Sequence, residues 1–154
     1  MAKPKQDPES FEEFLKKKGK GEADIDWNAV LQLWNQAAKG LVDLVAGWLQ
    51  PLEAKELVRM ERISWQVNEE QFGTYGLPAL KLQFRGSPLV TLRPVGKHIL
   101  GAAGRYDLEC GLAKYYVLLT GKGTWQIVHS VRRGKPVPLD QAAFEAAVRE
   151  LVSA

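Results

Sequence analysis

The apolar residues between about residues 25 and 50 recur at intervals of three, four and seven, the spacing of a helix buried along one side. One stripe of this pattern contains Trp27, Trp34, Leu41 and Trp48, each seven residues from the next. Asp24 and Asp26 are both residue types that favour helix N-caps, and Pro51 follows Gln50. The pattern predicts a long helix that ends near Gln50, with further helical turns after the proline.

From about residue 59 the hydrophobic period changes to two, which is typical of strands with one buried face. Alternating or continuous apolar segments occupy residues 63–67, 80–84, 90–93, 105–110, 114–119 and 125–131. Glycine-rich turns separate them, and the connections are too short for crossover helices. The sequence therefore predicts a mainly antiparallel sheet of five or six strands.

A second helix is predicted near the C-terminus, where Asp140 precedes apolar positions at Phe144, Val148 and Leu151. The predicted fold class is α+β: a long N-terminal helix, the antiparallel sheet, and a C-terminal helix packed on one sheet face. We expect residues 1–24 to form a flexible polar arm and residues 25–154 to form a single α+β domain, which suits a chain of 154 residues.

Composition and the N-terminal sequence indicate the cellular location in which we expect the protein. No apolar run approaches the eighteen residues of a transmembrane helix, and the first twenty residues lack the apolar core of a secretory signal. The single cysteine, Cys110, has no disulfide partner within the chain. We expect a soluble cytoplasmic protein without a membrane role.

Charge is distributed unevenly, although the net charge is only +3. Residues 77–135 contain ten Lys or Arg against only Asp107 and Glu109. One hypothesis is therefore binding of nucleic acid or another polyanion by a basic sheet face. Its candidate residues are Arg93, Lys97, His98, Arg105, Lys122, Arg132, Arg133 and Lys135. The alternatives are a solvated face that aids solubility and a set of cross-strand salt bridges to Asp107 and Glu109.

Residues 93–105, RPVGKHILGAAGR, combine glycines with basic side chains but do not form a nucleotide-binding loop. Gly96 and Lys97 lack the glycine five residues upstream and the following Ser or Thr that a P-loop requires. The segment also lacks the strand-to-helix context of that motif. It predicts two turns, or a turn and a bulge, around a short strand.

Catalytic and metal-binding patterns are weak in this sequence. His98 and His129 are the only histidines, and together with Cys110 they do not have the spacing of a zinc site. His129 and Cys110 continue inward-facing strand patterns, which indicates packing roles. We therefore predict no catalytic residues, no metal and no cofactor, while an enzyme of unknown reaction that uses His98 is the last alternative.

The leading hypothesis is a non-catalytic binding domain that acts through protein–protein interaction. The predicted N-terminal helix is apolar over a wide arc, and a single sheet face is too narrow to cover it all. The interface candidates are Trp27, Leu33, Trp34, Leu41 and Trp48. We expect a protein partner or a homodimer, a profile typical of small bacterial accessory or immunity-type proteins.

Overall fold

The computed structural model describes residues 10–12, 26–70, 72–99 and 102–153, without the side chains of residues 97–99 and 102. The long helix, α1, spans Trp27–Ala54, and the C-terminal helix, α2, spans Gln141–Ser153. Between them lie β1 (Val58–Glu69), β2 (Gly73–Phe84), β3 (Val90–Ile99), β4 (Ala102–Cys110), β5 (Ala113–Leu119), β6 (Trp125–His129) and β7 (Arg133–Pro138). The predicted arm of residues 1–24 lies outside the described residues except for residues 10–12.

The strands within the described ranges form one sheet in the order β1-β2-β3-β4-β5-β6-β7, with every neighbouring pair antiparallel. The α+β class and the antiparallel sheet are confirmed, but the predicted number of five or six strands is wrong, because the sheet has seven. The missed strand is β7, whose sequence RGKPVP resembles a loop. Prolines are tolerated there because β7 is an edge strand, whose outer N–H groups need no partner strand.

Helix α1 begins where the sequence predicts and ends later. The side chain of Asp26 caps it, with Asp26 Oδ1 accepting a hydrogen bond from the backbone N–H of Ala29 at 3.1 Å. The helix continues through Pro51 to Ala54. At the C-terminus, Asp140 Oδ1 accepts from the backbone N–H of Ala143 at 2.7 Å, which confirms the predicted cap of α2.

Both helices lie on the same face of the sheet, here called the helix face. One row of cross-strand partners runs across that face through Arg62, Leu80, Leu92, Leu108, Tyr115 and His129. At one end of the row Arg62 contacts Asp43 of α1, with Nη1 and Oδ1 2.7 Å apart. Near the other end the hydroxyl of Tyr115 donates to Glu150 of α2 at 2.5 Å. The opposite side of the sheet, which carries Arg93, Asp107 and Tyr116 as cross-strand neighbours, is called the outer face.

The core fills the space between the helices and the helix face. Its largest fully buried side chains include Trp34, Tyr106, Phe144, Leu41 and Leu49. The two helices also touch each other, because the rings of Trp48 and Phe144 lie 5.8 Å apart. An apolar helix long enough to cross a membrane does not occur in the described part of the chain.

Residues 93–105 form more regular structure than the sequence predicts. Strand β3 continues to Ile99, and it pairs with β4 through a register shift between Pro94 and Gly96. The irregularity therefore lies at Pro94–Gly96, where the sequence predicts a corner, and these residues do not turn the chain away from the sheet. The connection after Ile99, at residues 100–101, lies outside the described residues.

Candidate functional site

A groove lies between α1 and the turn that joins β5 to β6, and its volume is about 470 Å³. Its lining residues are Val30, Leu33, Trp34, Ala37, Ala103, Leu119, Thr120, Gly121, Lys122 and Gly123, and we call it the α1 groove. The lining is mainly apolar, and Leu33 at its edge is 65% exposed. A concave apolar surface with an exposed leucine is typical of a binding site for an apolar group.

The inner wall of the groove is formed by Trp34, which neighbouring residues hold firmly. Its indole N–H donates to the hydroxyl of Tyr75 at 2.9 Å, and that hydroxyl donates to Glu69. The ring of Trp34 also packs edge-on against Tyr106 and at a tilt of 39° against Trp125, with ring centroids 6.0 and 6.2 Å apart. Burial, together with the nearby Glu69 carboxylate, raises the pKa of Tyr75, so the hydroxyl remains protonated and donates. This wall of the groove is therefore ordered before any ligand binds.

The opposite wall is a hydrogen-bonded turn at residues 120–124. The backbone N–H of Thr120 donates to the carbonyl of Thr124 at 2.8 Å, and that of Gly123 donates to the carbonyl of Thr120 at 3.0 Å. The hydroxyls of the two threonines are also 2.8 Å apart. The turn holds exposed Lys122 at the edge of the groove, where it places a positive charge beside an apolar surface.

The five predicted interface residues differ in how much of each side chain is exposed. Trp34 and Leu41 are 1% and 0% exposed, so both side chains belong to the core and Leu41 has no surface for a partner. Trp27 and Trp48 are partly buried, with Trp27 edge-on against Phe72 at 5.8 Å and Trp48 against Phe144. Leu33 alone of the five is strongly exposed.

The interface candidates predicted from the sequence do not include two α1 residues of the groove, Val30 and Ala37. They lie three residues before and four residues after Leu33, the spacing of neighbours on one helix face. Val30, Leu33 and Ala37 thus form a second apolar stripe beside the tryptophan stripe, and this stripe is the signal in the sequence that points to the groove. Only the fold showed that the turn at residues 120–124 faces it.

On the outer face, Asp107 is fully buried beneath three basic side chains. Its carboxylate lies 3.7 Å from Arg93 Nη2, 2.9 Å from Arg105 Nε and 3.6 Å from Lys114 Nζ. Glu109 pairs with Arg93 at 2.5 Å. These contacts confirm that Asp107 and Glu109 are cross-strand salt-bridge partners, and they neutralise much of the positive charge on this face.

Two of the anion-binding candidates, Arg93 and Arg105, are thus held by internal partners. Each guanidinium also lies over an aromatic ring, Arg93 at 5.5 Å from Trp65 and Arg105 at 4.2 Å from Tyr116. The carboxylate of Glu109 raises the pKa of Arg93. Both guanidiniums would have to give up these ion pairs and ring contacts before they could contact a phosphate.

The remaining basic candidates do not form one cluster. Arg132 pairs with Glu150 of α2 at 2.6 Å. Exposed Lys122, Arg133 and Lys135 make no ion pair with a carboxylate in the part of the chain that the structure describes. Arg133 and Lys135 border a cavity of about 260 Å³ next to α2, whereas Lys122 borders the α1 groove. The side chains of Lys97 and His98 lie outside the described residues, which also leaves the enzyme hypothesis based on His98 without a described site.

His129 and Cys110 occupy packing positions. Nδ1 of His129 accepts hydrogen bonds from the backbone N–H groups of Val131 and Arg132 at 3.1 and 3.0 Å. These bonds stabilise a turn after β6, so the predicted continuation of that strand through Val131 is wrong, and Val131 is 83% exposed. Cys110 packs partly buried against the core. The described residues contain no group of three or more His, Cys, Asp or Glu side chains placed to hold a metal ion.

Comparisons with protein-family models, with curated proteins and with solved structures found no match for this chain. What the chain binds is therefore inferred from the geometry of its own residues.

Proposed function

We propose that the protein is a non-catalytic binding domain that holds an apolar segment of a partner protein in the α1 groove. The observation that carries this proposal is Leu33, 65% exposed at the edge of a groove whose walls are already ordered. Exposed apolar side chains beside a concave surface are characteristic of binding sites for proteins. The proposal matches the class that the sequence profile predicts, a small cytoplasmic accessory or immunity-type protein of bacteria.

The groove favours a particular partner chemistry. Val30, Ala37 and Leu119 supply apolar contacts, so the bound segment should insert aliphatic or aromatic side chains between α1 and the turn. Lys122 at the edge favours a carboxylate on the flank of that segment. Leu33 would be the main contact, because burying a leucine side chain contributes about 1.5–3 kcal/mol.

Two leucines on α1 provide a matched test. Leu33 borders the groove, whereas Leu44 is 43% exposed on the same helix and does not line the groove. Tagged wild-type protein, Leu33→Glu and Leu44→Glu would each be used to recover partners from cells that naturally produce the protein. Affinities for the recovered partner would then be measured by calorimetry.

We expect Leu33→Glu to weaken binding by about tenfold or more, and Leu44→Glu to leave it unchanged. Lys122→Glu should weaken binding in a salt-dependent manner. A partner that binds Leu33→Glu as tightly as the wild type would contradict the proposal. Equal losses in both leucine variants would show that the groove is not the binding surface.

The second candidate function is binding of nucleic acid or another polyanion. It is supported by exposed Lys122, Arg133 and Lys135, which make no carboxylate ion pair within the described residues. If these three contact phosphates, the logarithm of affinity should fall against the logarithm of salt concentration with a slope of about −3. The test is fluorescence anisotropy with a labelled oligonucleotide at several salt concentrations. Arg133→Glu combined with Lys135→Glu should weaken binding to every sequence alike, and no binding at low salt would eliminate this candidate.

A further inference from the structure

In the described part of the chain, one long edge of strand β1 has no partner strand. Its twelve residues, Val58–Glu69, pair with β2 in unbroken register from Val58 opposite Phe84 to Glu69 opposite Gly73. Within the described residues no strand pairs with its other edge, because β1 is the first strand of the sheet order. A long, regular edge of this kind is a template for pairing with another strand.

Two hydrogen bonds identify which backbone groups point away from the sheet. The N–H of Met60 donates to Glu53 Oε2 at 3.4 Å, so it points outward. The carbonyl of Leu57 accepts from the N–H of Arg85 at 2.9 Å, so odd-numbered residues bond toward β2. Because peptide directions alternate along a strand, the even-numbered residues of β1 point their N–H and C=O groups away from β2. The N–H of Met60 is the one among them that Glu53 already accepts from, and pairing with another strand would replace that bond.

The other edge of the sheet is formed by β7, which is shorter and less regular than β1. Strand β7 is short, contains Pro136 and Pro138, and pairs with β6 through a register shift between Ile127 and His129. Prolines and bulges are features that prevent pairing at an edge. Strand β1 has neither feature over its twelve residues.

We propose that two copies of this chain associate through their β1 edges, antiparallel, around a two-fold axis at Ser64. A two-fold axis requires the same strand on both sides, and only registers that pair even-numbered with even-numbered residues form hydrogen bonds. With Ser64 opposite Ser64, residues 59–69 of the two copies overlap and the two sheets join into one continuous sheet. This surface is separate from the α1 groove, so the proposal does not depend on the proposed function.

This register is favoured by the pairing of side chains. It places Ile63 opposite Trp65 twice and no two like charges directly opposite, whereas centring the axis on Ile63 would place Glu61 opposite Trp65. Centring the axis on Glu61 or Arg62 instead would put identical charges face to face. Centring it on Trp65 would put Glu61 opposite Glu69.

The association is tested by sedimentation equilibrium over a range of protein concentrations. The wild type should dimerise at concentrations below about 100 µM. Ser64→Pro should raise the dissociation constant by about tenfold or more, because it removes an outward N–H at the centre of the interface and leaves the bonds to β2 in place. Ser64→Ala keeps that N–H and should dimerise like the wild type. Circular dichroism and melting temperature confirm that each variant is folded.

The register is tested by disulfide formation under mild oxidation. Ser64→Cys brings two cysteines opposite each other, at the Cα separation of about 5.5 Å of a hydrogen-bonded pair, which a disulfide spans. Gln66→Cys is the matched control, because Gln66 lies opposite Arg62 in this register. We expect a covalent dimer for Ser64→Cys and none for Gln66→Cys or for the wild type with Cys110. A monomeric wild type at every concentration, or cross-linking of Gln66→Cys as readily as Ser64→Cys, would overturn the proposal.

Discussion

The ring of Trp34 lies directly against the backbone of Gly104, so closely that a Cβ atom at position 104 would come within 2.5 Å of the ring carbon Cζ3. The contact joins α1 to β4 and holds the tryptophan in the wall of the α1 groove. Because Gly104 has no side chain, β4 leaves space for the ring of Trp34 on α1.

Gly104→Ala should destabilise the protein by about 1–3 kcal/mol, because the added methyl group has no space against the ring of Trp34. The measurement is the free energy of unfolding in urea. Gly121→Ala is the control, since a Cβ atom there would meet nothing within 4 Å, and its effect should be small. Equal stability of Gly104→Ala and the wild type would mean that the ring moves freely.

Gly40→Ala and Gly47→Ala should each stabilise the protein by about 0.5–1 kcal/mol. Both glycines are exposed on α1, and a Cβ atom at either position would meet nothing within 4 Å. Alanine then only raises helix propensity and lowers the entropy of the unfolded chain. An increase in melting temperature for both variants would confirm this, whereas a decrease would reveal a contact on this side of α1.

Asp107→Ala should lower the free energy of unfolding by about 3 kcal/mol or more. The buried carboxylate compensates Arg93, Arg105 and Lys114, and its removal leaves those cations crowded on the outer face. Asp43→Ala is the matched comparison, because Asp43 pairs with Arg62 and Lys39 at an exposed position and its loss should have a much smaller effect. Similar losses in the two variants would show that burial of Asp107 adds nothing to its ion pairs.

Glu150→Gln should reduce the dependence of stability on acid pH. Hydrogen bonds from Tyr115 and Arg132 lower the pKa of Glu150 below its usual 4.5. A lowered folded-state pKa means that the stabilisation is fully present above pH 4.5 and is lost as the pH falls through the folded pKa. The melting temperatures of wild type and variant should therefore differ above that range and converge below it. A difference that is constant with pH would show that the carboxylate charge is not responsible.

Much of the fold follows from local patterns. The helix caps at Asp26 and Asp140 and the alternation in the strands are short-range signals, and each predicts the element that the structure contains. Strand β7 could not be predicted in this way, because Pro136 and Pro138 exclude an interior strand and only the position at the sheet edge makes them acceptable.

The candidate sites were less predictable than the fold. The sequence places Leu33 and Leu41 on one apolar helix but gives no information about which of them the sheet covers. Likewise, ten basic residues near two acids suggest a positive face, while the pairing of Arg93 and Arg105 with buried Asp107 depends on strand register.

By itself, the sequence determined the class of the protein: a long amphipathic helix, a period-two region that must form an antiparallel sheet, and a capped C-terminal helix. These follow from interactions between residues close together in the chain. The tertiary structure decided which apolar residues remain exposed, which charges are neutralised, and which strands form the two edges of the sheet. Those properties depend on contacts between distant segments, such as Trp34 with Gly104, and no local pattern records them.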